Sequence, residues 1–180
     1  MYNTTDPGSS FYNQAQLLTG NLNGTYNIIC FSIAFALIPI ARKLGAKKLH
    51  FISLAIGGIG LLCMPLLNDT DLLFILPFGS GIEVSQIYLF SFGLGITWAS
   101  MMAMPYQMLA SSIPKDKTGV YMGIFNMFIV IPMIIQIVSM QYFVYDLLDN
   151  NPINVIRLAG AFLIIGGIFS LFVNEKESVS

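Results

Sequence analysis

GLGITWASMMAMPYQMLASSIPKDKTGVYMGIFNMFIVIPMI, residues Gly93 to Ile134, decides the fold. It holds two apolar runs, each interrupted by a proline (Pro105 and Pro132), joined by the hydrophilic turn Ile113-Pro114-Lys115-Asp116-Lys117-Thr118. Runs this long and this poor in charge do not belong to a soluble core. In a bilayer every backbone polar group needs a partner within protein, so a mid-helix proline is tolerated only where neighbouring helices, water or a cavity satisfy the carbonyl it frees. Two such helices in succession point to the lining of a pathway. Trp98, Tyr106, Gln107, Asn126 and Gln136 supply ring faces and neutral hydrogen-bonding groups, which suit an uncharged, polyhydroxylated solute better than an ion. Helix–helix contacts in membranes recruit the same residue types, and on composition the two readings weigh equally.

The rest of the chain agrees with a membrane solvent. Of its 180 residues, 56% are hydrophobic and 9% charged, where a soluble domain carries about a quarter charged residues. The mean hydropathy is +0.75. At about 20 apolar residues per span, this length accommodates an all-α bundle of roughly five or six helices. A net charge of −1 offers no field for nucleic acid. Cys30 and Cys63 each lie inside an apolar run and read as packing residues, not a disulfide framework.

Outward from the central stretch, residues 1–20 read as an exposed lead-in, rich in Gly, Ser, Asn and Thr, with a turn at Asp6-Pro7-Gly8. Five spans follow, at about 21–41, 49–67, 85–111, 119–145 and 153–173, and a polar tail closes the chain at 174–180. The first span ends at the basic run Arg42-Lys43-Leu44-Gly45-Ala46-Lys47-Lys48. The second is nearly free of polar groups and reads as scaffold facing lipid, with Gly57, Gly58 and Gly60 allowing close approach by another helix. Residues 68–84 contain Asp69, Asp71 and Glu83, no base, and an apolar piece too short to span; they read as an interfacial or partly re-entrant segment.

Lys and Arg fall in alternate loops, at 42–48 and 113–118, and are missing from 68–84 and 146–152. By the positive-inside rule the N-terminus lies outside and the C-terminus in the cytoplasm, after five crossings of a cell membrane. Arg157, in the opening turn of the fifth span, can snorkel to the headgroups.

On the third span Ser91, Gly95, Trp98, Met102 and Tyr106 recur at spacings of three and four. An indole and a phenol on one face make a platform for a sugar, although an aromatic packing stripe is the slightly stronger reading residue by residue. Small residues at Gly20/Gly24, Gly95/Ala99, Ala99/Ala103 and Gly119/Gly123 have the spacing of close helix crossings. His50 adjoins the basic run without a Cys, Asp or Glu at ligand spacing and reads as an interface anchor; no metal site is expected. No carboxylate lies deep in a span, and no nucleophile has a base at hand, so an enzyme is not expected.

Gly95-Ile96-Thr97-Trp98-Ala99-Ser100, Met104-Pro105-Tyr106 and Met108-Leu109-Ala110, then Gly119-Val120-Tyr121-Met122-Gly123-Ile124-Phe125-Asn126 and Ile129-Val130-Ile131-Pro132, resemble the tenth and eleventh helices of sugar transporters of the major facilitator superfamily. The nearest likeness is to the sucrose and maltose symporter branch, related to the glycoside–pentoside–hexuronide:cation symporters. Thr4-Thr5-Asp6-Pro7 through Tyr12-Asn13 is similar to that branch's outer loop before its eighth helix. The resemblance implies that the five spans correspond to helices eight to twelve of a twelve-helix fold. It also implies a cytoplasmic loop motif at Arg42, Lys43, Gly45 and Lys47, where Arg42 stands in place of the family's usual Asp.

The family's function would then be cation-coupled symport of a sugar, a disaccharide or other glycoside, with a proton or sodium ion as the coupling ion. Trp98, Tyr106, Gln107 and Asn126 would contact the substrate, and Pro105 and Pro132 would act as hinges. Alternating access in this fold rocks two six-helix halves about a central site, so a chain of this length is expected to be a fragment that needs the missing N-terminal helices and is inactive alone. The alternative is an accessory or structural membrane subunit packing against a partner protein through its glycines.

Overall fold

The computed structural model describes residues 7–76 and 82–173. The first six residues, Pro77 to Gly81, and the tail from Asn174 lie outside them, so the expectations for the start of the lead-in, for Pro77 and Gly79, and for the tail fall beyond the described residues. Five long helices carry the fold: α1 (Ser10–Leu44), α2 (Ala46–Cys63), α3 (Tyr88–Ser112), α4 (Thr118–Leu147) and α5 (Pro152–Ser170). Two short strands, β1 (Leu72–Leu76) and β2 (Ile82–Ser85), stand between α2 and α3. This is an all-α membrane architecture with one small hairpin.

Four helices, α1, α2 with its 3-10 extension to Leu66, α4 and α5, are long and apolar enough to cross a membrane. Helix α3 is long enough, at 25 residues, but is diluted by Ser91, Thr97, Ser100 and its glycines. Those are the residues it buries: Ser91 and Ser100 are 0% exposed and Thr97 is 1% exposed. It packs on α1 along one side and on α2 along another, while α2 packs in turn on α5. Over much of its surface, therefore, α3 meets protein where its neighbours meet lipid.

Close crossings let these helices approach. A side chain at Gly58 would sit 2.7 Å from the carbonyl oxygen of Gly160, and one at Gly160 would sit 2.8 Å from that of Gly58. Gly57 faces Thr97 in the same way, and Gly95 of α3 lies 2.8 Å from the Tyr26 carbonyl of α1 by the same measure. Polar groups along the seams pair across them. The Thr97 hydroxyl donates to the Ser53 carbonyl at 2.7 Å, and the Ser91 hydroxyl to that of Leu22 at 3.3 Å. Where α1, α2 and α3 meet at the basic end, Leu37, Ala41, Leu49, Ala99, Met104 and Met108 form the buried apolar core.

Several expectations are corrected. The lead-in to residue 20 is not a loop throughout: α1 begins at Ser10. Ser9, in extended conformation, caps it by accepting the Tyr12 N–H at 3.1 Å, and Gln16 Nε2 donates to the Tyr12 hydroxyl at 2.9 Å one turn on. At 35 residues, α1 is about 52 Å long at 1.5 Å per residue, against a hydrocarbon core of about 30 Å, so its polar first turns extend past the apolar layer.

Leu72–Leu76 and Ile82–Ser85 pair as antiparallel strands, with Phe74 opposite Val84 and Ile75 opposite Glu83, in the stretch read from sequence as an interfacial or partly re-entrant segment. Its base is tied by Gln86 N–H to Asp71 O at 2.9 Å and Ile87 N–H to Asn68 O at 3.2 Å. Leu72, Leu73, Phe74 and Ile75 are exposed on both faces of β1.

The second helix is lipid-facing scaffold on one side only, where Ile52, Ile56 and Ile59 are exposed. It is packed between α3 and α5, burying Leu49, His50, Ser53, Leu54, Gly57 and Gly58. The basic loop reduces to Gly45, whose φ of 84° turns the chain directly from α1 into α2 while its N–H donates to Ala41 O at 2.9 Å. Arg42 and Lys43 belong to the last turn of α1, where a helix dipole favours cations. Lys47 lies in the first turn of α2, where it does not; its ammonium donates to Val173 O at 3.2 Å, near the end of α5.

Candidate functional site in the cleft between α3 and α4

Helix α4 differs from the others in burying no residue. It meets α3 over a small area, and two of the residues singled out by sequence, Tyr106 and Asn126, come together in the cleft between them. The Tyr106 hydroxyl donates to Asn126 Oδ1 at 2.6 Å. The Tyr106 ring meets Phe125 edge-on, with centroids 5.0 Å apart and planes at 74°. These contacts join a half-buried α3 residue to a pair at the second and third turns of α4.

Trp98 lies eight residues before Tyr106, about 12 Å along the helix axis, and is 43% exposed. At 100° per residue it falls within about 20° of Pro105 and on the opposite side of α3 from Gln107. Gln107 is exposed. Thus Tyr106 and Asn126 meet, Trp98 flanks them at a different level, and Gln107 is turned away.

Pro105 and Pro132 both lie inside continuous helix. The departure from α-helical geometry in α4 comes further on, as a π-helical turn at Met140–Val144, an arrangement recurrent at functional sites. Asp149 (φ 58°) and Asn150 (φ 51°) then end the segment in left-handed conformation, with Asn150 N–H bonded to Tyr145 O at 3.0 Å.

Below the Trp98 level, toward the basic end, α2, α3, α4 and α5 surround a cavity of about 280 Å³ lined by residues including His50, Leu54, Met102, Pro105, Phe125 and Phe162. His50 is 7% exposed, and its Nδ1 is hydrogen-bonded to the Ser100 hydroxyl at 2.9 Å. It is therefore a buried member of the α2–α3 seam and not an interface anchor. Its only sequence signal was its place at the start of an apolar run, just after the basic residues; Ser100, fifty positions away, gave none. Among the described residues no group of three or more His, Cys, Asp or Glu could hold a metal. No family model, no curated protein and no solved structure matches this chain.

Proposed function

We propose that this chain is the C-terminal part of a secondary transporter for a sugar, a disaccharide or other glycoside, driven by a proton or sodium gradient and working by alternating access with further helices. The observation that carries this reading is the pairing of Tyr106 with Asn126 across a cleft between two proline-containing helices. A phenol and an amide are the groups that exchange hydrogen bonds with hydroxyls without adding charge. An exposed indole two turns away adds a ring face for the C–H side of a sugar.

In this proposal α4 moves against the layer formed by α1, α3, α2 and α5. It has the thinnest packing, and its π-turn and Pro132 leave backbone carbonyls less constrained than in a straight helix. The basic end, with Arg42, Lys43, Lys47, Lys48 and Lys117, faces the cytoplasm; the acidic end, with Asp69, Asp71, Glu83, Asp146 and Asp149, faces out.

The test is uptake of radiolabelled disaccharide in a transport-deficient host. The chain expressed alone is expected to be inactive. In a longer transporter carrying this sequence, Trp98→Ala and Asn126→Ala should depress uptake more than Cys63→Ala; equal effects would reduce these residues to packing. One observation favours a second reading, a membrane subunit docked on a partner: the absence of any buried residue from α4 leaves an apolar helix to be covered. Full stability and correct insertion without any partner would count against that reading.

A further inference from the structure

The cavity beside His50 is unsuited to the polar solute proposed for the cleft. Its walls are Leu54, Met101, Met102, Phe125, Ile129 and Phe162, with His50 the polar side chain among them. At about 280 Å³ it falls just under the usual range for small-molecule sites, about 300–1,000 Å³, and apolar walls reward burial of hydrocarbon.

Depth gives a second constraint. Its lining residues sit between four positions (His50 after Ala46, Gly166 before Ser170) and eleven positions (Ile129 after Thr118) from the basic ends of their helices. At 1.5 Å per residue that is about 6–17 Å, which places the cavity between the basic end and about the midplane of a core about 30 Å thick.

Charge gives the third. Lys47 lies one turn closer to that end than His50 on the same face of α2, and Lys48 and Lys117 are exposed at the same end. Asp116 is the one acid among the described residues there, whereas the opposite end holds five acids and Arg157.

We propose that the chain binds an anionic phospholipid from the leaflet at its basic end, with one acyl chain in the cavity between α4 and the α2–α3–α5 layer and the phosphate among Lys47, Lys48 and Lys117. The bound chain fills the gap that holds α4 away from its neighbours, so the lipid acts as a spacer on the least packed helix. This binding is independent of the sugar-transport reading, because neither Tyr106 nor Asn126 lines the cavity.

The test uses the full chain reconstituted in phosphatidylcholine vesicles carrying a trace of phosphatidylglycerol or phosphatidylcholine spin-labelled on the acyl chain. The motionally restricted fraction is read by electron paramagnetic resonance. It should be several-fold larger for phosphatidylglycerol, and most of that preference should be lost at low salt in either Lys48→Gln or Lys117→Gln.

Gly166 lines the cavity and a side chain there meets nothing within 4 Å, so Gly166→Phe should fill the space and remove the restricted component while keeping the helical content. Should that variant fail to insert, Ile129→Trp occludes the cavity from the α4 wall and is expected to give the same loss. Equal restriction of the two lipids by the unmodified chain, or restriction unchanged with the cavity filled, would overturn the proposal.

Discussion

The Tyr106 hydroxyl donates to Asn126 Oδ1 at 2.6 Å, and this bond is the polar tie between α3 and α4, two helices that otherwise touch over a small area. Interhelical hydrogen bonds in membranes contribute about 0.6 kcal/mol on average. Tyr106→Phe and Asn126→Leu should therefore each destabilise the bundle modestly, and a double-mutant cycle by denaturant unfolding in detergent should return a coupling of about 0.6 kcal/mol. A coupling near zero would mean that the pair is held by packing alone.

Gly58 and Gly160 bring α2 and α5 together with no room for a side chain. Gly58→Leu or Gly160→Leu should lower stability by about 1–3 kcal/mol through overpacking. Gly119→Leu and Gly123→Leu should be harmless by comparison, since nothing lies within 4 Å of a side chain at either position. Thermal melting of the purified variants gives the comparison, and a similar loss at all four positions would contradict the packing described.

Gly45 turns α1 into α2 at φ 84°. With ψ at 145° this is a region open essentially to glycine alone, where a side chain costs about 1–3 kcal/mol, so Gly45→Ala should be destabilised by that order in the same melting experiment. An unchanged midpoint would show that the junction has another geometry.

The distribution of cations sets a testable orientation. Cysteines introduced at Lys43 and Lys117 should react with a membrane-impermeant maleimide only after the cells are opened, whereas cysteines at Asp71 and Asp149 should react in intact cells. Reaction of all four from outside would reject the orientation proposed.

Helix existence was readable from apolar runs because a bilayer imposes one length and one composition on every span. Boundaries were less so. The turns from Ser10 to Gly20 carry only a thin apolar row, Phe11, Ala15 and Leu18, among polar residues, and the Ser9 cap and the Tyr12–Gln16 pair are local features that mark them as helix. The hairpin was hidden because Leu72–Leu76 is a five-residue run that could as well belong to a short helix.

At the site, helical period placed Trp98 and Tyr106 along α3, yet the partner of each group depends on how helices cross. Gly20, Gly24, Gly119 and Gly123 share the small-residue spacing and meet nothing within 4 Å, whereas Gly57 and Gly58, adjacent in sequence, serve two different neighbours. Such tertiary choices, like the meeting of His50 with Ser100, have no signature within a single segment.

Trp98 and Ile165 are 43% and 46% exposed, Ile59 is 55% exposed, and Asn126 is exposed as well, so geometry alone treats them alike. The proposed function sets them in different media, water at 98 and 126 and lipid at 59 and 165. The most direct measurement is labelling of single cysteines at these four positions, in a chain with Cys30 and Cys63 replaced, by a water-soluble maleimide in membranes. Rapid modification at 98 and 126 with protection at 59 and 165 is the predicted result; equal protection at all four would mean that α3 and α4 enclose no aqueous cleft.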